Sequence, residues 1–188
     1  MIVDSDIKRS KPLKQSLIDH GFEVVAHISN DANLHHQCSE LKPDVVIIDT
    51  ESPCRDTLEN ICVMSMHAPS PIVMFTHDDD KEKIKAATKA GVSAYVVGTI
   101  PNERLAPVID AAIARFEEFN SLRAELAEAN TKLDERKVIE RAKGLLMKQR
   151  YLDEDEAYSM LRSMAMQRKV KLADLADQLV EAAKMLIV

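Results

Sequence analysis

No tryptophan, only four glycines and only three cysteines occur in the 188 residues, and each scarcity closes off a class of protein. Four glycines leave little material for a Gly-rich phosphate loop, and no catalytic triad or metal-ligand spacing stands in its place, so no enzyme is expected. Cys38, Cys54 and Cys62 are odd in number and form no C-x-x-C pair, which argues against a disulfide framework and against a zinc knuckle. The stretch "HHQC" (His35, His36, Cys38) has metal-binding residue types, but adjacent histidines on a helix point in different directions. No apolar run reaches the roughly 18 residues of a membrane span, and "MIVDSDIKRS" lacks the basic start and long apolar segment of a signal peptide. A cytoplasmic protein without membrane contact is the expectation.

What is present is ordinary globular material: 46% hydrophobic and 30% charged residues, with a net charge of −6. The charge is unevenly split. From Asp134 onward there are 11 Lys and Arg against 10 Asp and Glu, so the preceding residues carry all the negative excess. An anionic partner therefore belongs with the C-terminal segment.

Three kinds of pattern follow one another. "MIVD", "FEVVAHI", "DVVIID", "PIVMFT" and "SAYVVG" read as five strands, several apolar without alternation, as in a parallel sheet covered on both faces. Helix-like segments separate them, two closing on Gly21 and Gly91, and the alternation predicts a doubly wound α/β domain over residues 1–112. Over 113–133 the period changes. Phe119, Leu122, Leu126, Ala129 and Leu133 are spaced 3, 4, 3, 4, the seam of a coiled coil, with Glu118 and Arg123 placed to pair between parallel chains; a homodimer follows. An amphipathic helix lying on its own domain would show the same short pattern. Residues 134–188 show no strand signal: a helix through Lys148, a second opened by Asp153 and Glu156 as a capping box, and a third from Leu172 with Leu175, Ala176, Leu179 and Ala183 on one face. A small helical bundle is the way to bury those faces.

Asp4, Asp49 and Thr76 each stand where a strand ends, and ligands of an open α/β sheet collect beyond those ends. An aspartate beside other acids and Mg²⁺ can accept a phosphoryl group, with a hydroxyl to contact it and a lysine to neutralise it. The arrangement resembles the flavodoxin-like receiver domain of bacterial response regulators. The resemblance makes Asp49 the phosphoacceptor, Asp4 the first of an acidic pair, Thr76 the switch hydroxyl and Tyr95 the switch aromatic. Two departures stand out: Ser5 follows Asp4 where a second acid belongs, and Gly98 occupies the lysine's position in "YVVGTIP". Asp4 and Asp49 alone are a thin ligand set for Mg²⁺, so no metal or other cofactor is expected, and an unphosphorylated receiver-like domain is the favoured reading. Asp78, Asp79 and Asp80 look like first-turn acids that favour a helix dipole.

A helix-turn-helix would be the usual partner of such a domain, but the last helix displays Asp174, Asp177 and Glu181 where DNA phosphates would lie. RNA loops demand less of one helix, since splayed bases can be met by scattered Lys and Arg and stacked on Tyr151 or Tyr158, either of which could instead be core. "AKGLLM", "EAY", "LR", "AM" and "KLADLA" in order resemble the ANTAR domain, an RNA-binding module of transcription antiterminators, and the whole chain resembles the AmiR and NasT antiterminators. "IDTESPCRD", "PIVMFT" and "GVSAYVV" look like the NasT branch, associated with nitrate and nitrite assimilation. The resemblance implies binding to hairpin loops in leader mRNA and control by a ligand-sensing protein similar to a solute-binding protein. Lys143, Lys148, Arg162, Arg168 and Lys171 are the expected RNA contacts, while Met147, Ala157 and Met166 read as core. Gly144, inside a helix, costs about 1 kcal/mol against alanine and calls for close packing or close RNA approach. A phosphorylated regulator binding DNA or RNA, or a protein adaptor, are the rival readings.

Overall fold

The computed structural model describes residues 1–4, 10–29 and 34–186. These form two compact units, 1–120 and 121–188.

In the first unit five strands, β1 (Ile2–Asp4), β2 (His27–Ile28), β3 (Val46–Asp49), β4 (Ile72–Thr76) and β5 (Ala94–Val97), make one sheet in the order β2-β1-β3-β4-β5. Every pairing is parallel, and this order is the flavodoxin-like one, with its change of direction between β1 and β3. The runs lack polar alternation because both faces are covered. Val3, Val46, Ile48, Ile72 and Met74 pack on one side with α2 (Leu34–Leu41), α3 (Arg55–His67) and α4 (Lys81–Ala90). Ile2, Ile47, Val73 and Phe75 face the other way, onto α1 (Lys11–Asp19) and the first turns of α5 (Asn102–Arg150), which contribute Leu17, Leu105 and Ile109.

The second strand is shorter than its apolar run. Phe22 to Ile28 reads as strand, yet only His27 and Ile28 pair, since β2 is an edge whose one neighbour offers Ile2 and Val3 to it. Phe22 and Val24 still pack against the core. The acids before α4 are also reassigned. None lies in the first turn: α4 begins at Lys81, Asp80 is its N-cap and accepts from the Glu82 amide at 2.8 Å, and Asp78 serves the preceding loop.

The coiled-coil stretch has no boundary of its own, because α5 runs unbroken from Asn102 to Arg150 despite Pro107. In the second unit its last turns join α6 (Glu154–Arg168) and α7 (Leu172–Leu186) around Ala142, Leu146, Ala157, Leu161, Leu175, Ala176 and Val180. The capping box is formed: Asp153 accepts from the Glu156 amide at 2.8 Å and Glu156 from the Asp153 amide at 3.0 Å. Each helix alone presents one apolar stripe, and three stripes close a core that no pair could.

Gly91 ends α4 with φ +116°, and an added Cβ would sit 2.2 Å from the Ser65 hydroxyl. That hydroxyl is held by donating to the Ala90 carbonyl at 2.9 Å. Gly91→Ala is therefore expected to destabilise the first unit by about 1–3 kcal/mol, read as a lower urea midpoint at unchanged slope.

Candidate receiver pocket and nucleic-acid interface

The parallel register sets Asp4 directly beside Asp49 across β1 and β3, at the carboxyl ends where the sheet changes direction. Asp4 is buried and Asp49 half-buried. Ser5 and Asp6, the positions that decide the second acid, lie outside the described residues. A cleft of about 300 Å³ opens beside Asp49, walled by Pro12, Phe75, Thr76, His77, Gly98 and Leu105 among others. Gly98 turns the chain with φ +79°, and a Cβ there would meet nothing within 4 Å. No three His, Cys, Asp or Glu residues among those described are grouped to hold a metal. Two neighbouring carboxylates are a sparse donor set for Mg²⁺.

Thr76 and Tyr95 are both committed to loop backbone. The Thr76 hydroxyl donates to the Glu51 carbonyl at 2.8 Å while accepting from the Asp78 amide, and the Tyr95 hydroxyl donates to the Asp78 carbonyl at 3.0 Å. A second tie crosses the same two loops. Ser52 and Lys83 both donate to the Asp78 carboxylate, and Lys83 also donates to Ser52 at 2.7 Å. The Lys83 ammonium, then Ser52 and the Asp80 amide, hold Asp78 at a pKa of about 2. Burial, then the Asp78 charge, pushes the Tyr95 phenol up. Ser52, Asp78 and Lys83 were not legible as a cluster, since 26 residues separate the first two.

In the second unit Lys148, Arg162, Arg168 and Lys171 are exposed, and among the described residues none is ion-paired. Lys143 is placed differently. It is buried, and its ammonium donates to Glu140 at 2.9 Å and Glu154 at 2.8 Å. Tyr151, 95% exposed with φ +58°, and Met166, 71% exposed, stand outside the core, which corrects the core reading of Met166 and decides the open alternative for Tyr151. Tyr158 is also exposed. Met147 and Ala157 do pack inside, and Gly144 has open space beside it instead of a close neighbour.

Comparison with known proteins accounts for both units. The family profile described as response regulator receiver domain matches residues 1–110, and that of the ANTAR domain matches residues 127–180. This chain belongs to the response regulators that carry an ANTAR domain. It is 30% identical over 182 residues to the transcriptional regulatory protein PdtaR of Mycobacterium tuberculosis, a match spanning 96% of this chain and 88% of that one. The chemotaxis protein CheY of Halobacterium salinarum is 29% identical over 97 residues, 51% of this chain and 79% of its own length. Among solved structures, the signal receiver domain of a modulated diguanylate cyclase from Desulfovibrio desulfuricans superposes with a TM-score of 0.53 at 20% identity, covering 62% of this chain and 93% of that one, a likeness of fold.

Within the ANTAR domain, the Lys143 bridge joins α5 to the first turn of α6. Its bonds to Glu154, then Glu140, raise the Lys143 pKa, and the bond to Lys143 lowers that of Glu154. The signs give one window. The Glu154 share of stability is present above the ordinary carboxylate pKa and lost as pH falls through the lowered value; the Lys143 share persists below the ordinary lysine pKa and is lost as pH rises through the raised one. Replacing Lys143 by Met should lower the thermal midpoint at neutral pH, and the gap to the unaltered chain should narrow as pH falls through the carboxylate range. A gap independent of pH would show that packing, not the bridge, was lost.

Proposed function

We propose that this response regulator is a transcription antiterminator whose ANTAR domain binds hairpin loops in leader mRNA and keeps a terminator from forming. The observation that carries the reading is the unpaired, exposed set Lys148, Arg162, Arg168 and Lys171 on a domain of the ANTAR family. Arg162 lies one turn from both Tyr158 and Met166 on α6, so a cation, a ring and a flexible apolar side chain share one exposed face, as suits an unstacked base. DNA fits less well, because Asp174, Asp177 and Glu181 are all exposed on α7. Lys143 acts here as the residue that positions α6 and not as a phosphate contact.

Two copies are proposed to act together through α5, where Leu122, Leu126, Ala129 and Leu133 are exposed, with Phe119 extending the seam. Two ANTAR domains on one dimer would engage two adjacent loops and gain roughly 10²–10⁴ in affinity by effective concentration. Control is proposed to come from a ligand-sensing protein similar to a solute-binding protein. Gly98 in the lysine's place and the engagement of Thr76 and Tyr95 with loop carbonyls support this. The resemblance to the NasT branch suggests nitrate and nitrite assimilation genes as the targets. Control by phosphorylation of Asp49 is the second reading, favoured by the side-by-side placement of Asp4 and Asp49.

Selection from a pool of RNAs with two hairpins and randomised loops tests the first claim: loop-specific RNAs should be retained and a fully paired duplex should not, and retention of neither would defeat it. Leu126→Asp should give a monomer by light scattering and weaken binding to the two-hairpin RNA far more than to either hairpin alone. Incubation with acetyl phosphate and Mg²⁺ should leave the intact mass unchanged, whereas a stoichiometric phosphoryl adduct lost in Asp49→Asn would establish the second reading.

A further inference from the structure

One groove of the ANTAR domain remains unused by its own fold. Arg141, Gly144, Leu145 and Lys148 from α5 meet Val180, Ala183 and Lys184 from α7 around a space of about 320 Å³. Val180 and Ala183 are buried and Leu145 half-buried, while the three cations are exposed, so the apolar groups form the base of the groove and the charges its edge. Gly144 is the anomaly. A glycine inside a helix costs about 1 kcal/mol against alanine, usually offset by close packing. Nothing lies within 4 Å of where its Cβ would be, so the missing side chain widens the groove and packs nothing.

The charges select the occupant. Arg141 and Lys148 are seven residues apart on one face, either side of Gly144, and among the described residues no carboxylate pairs with either. Lys184 shares its charge with Glu181 at 2.8 Å. An apolar base formed by Leu145, Val180 and Ala183 between two unneutralised cations suits a nucleobase with a phosphate at each side. A space near 300 Å³ is at the small end of ligand sites, roughly 300–1,000 Å³, enough for one base and too small for a helix.

We propose that this groove receives one unstacked base from an RNA loop, with the Gly144 backbone as its wall and Arg141 and Lys148 on the flanking phosphates. The inference rests on the RNA-binding reading above and adds the place where a base is held. Arg141 was not singled out by sequence, where it is one basic residue among eleven.

The experiment uses the full chain and an RNA it selects from the two-hairpin pool, with a photoreactive thiobase at each loop position in turn. Irradiation should crosslink one loop position to peptides containing Leu145 or Ala183. Gly144→Leu should remove that crosslink and weaken binding by about tenfold or more, with helical content retained and the thermal midpoint unchanged or raised. Gly144→Ala, which fits the same open space, should raise the midpoint and weaken binding less. Arg141→Gln should lower affinity and reduce the salt slope by about 1. Undiminished RNA binding by Gly144→Leu, or crosslinks confined to α6, overturns the groove while leaving RNA binding intact. Loss of binding that accompanies a change of oligomeric state assigns the groove to contact between chains and overturns it as well. Retention of no RNA by the unaltered chain overturns both this and the function on which it rests.

Discussion

A helix buries one stripe against one core, yet α5 contributes stripes to two: Leu105, Ile109 and Ala112 to the receiver domain, Ala142 and Leu146 to the ANTAR domain. Between them the apolar residues Leu122, Leu126 and Leu133 face solvent. The rest of the molecule depends on that division of one helix. Without the first turns of α5 the receiver sheet would keep only α1 over one face, and without its last turns α6 and α7 would have no third stripe to close upon. Burying apolar side chains at both ends stabilises a 49-residue helix and offsets the backbone hydrogen bond that Pro107 cannot make.

Within each domain, charges do different work according to whether they are paired. Lys143 and Lys83 are spent on structure, one drawing α6 onto α5, the other tying the Ser52 and Asp78 loops together. Arg141, Lys148, Arg162, Arg168 and Lys171 have no such duty among the described residues, and a cation left in water gains more from a phosphate than from nothing. The near balance of charge from Asp134 onward conceals this, because several of the acids there are engaged internally: Glu140, Glu154 and Glu181 in pairs, Asp153 and Glu156 in a cap.

Much of the fold was legible. Five apolar runs, the Gly91 stop and the Asp153 capping box all reappear as elements, because period, left-handed turns and caps are local physics. Misreadings came where a neighbour decides. The run Phe22–Ile28 pairs only at its end since β1 presents two partners; Asp78 reads as a helix acid until Lys83 is folded beside it; Met166 reads as core until α6 turns it outward. The candidate site divides in the same way. Asp4, Asp49 and Thr76 can be placed by strand ends, but the commitment of the Thr76 hydroxyl to Glu51 cannot.

By itself the sequence determined the order of elements and the two-part architecture, because periodicity is carried along the chain. Only the tertiary structure decided which lysines are available, which tyrosine is bare and that Gly144 stands beside open space. Those are matters of what lies across a gap of a few ångströms between residues distant in sequence, and no pattern along the chain records that distance.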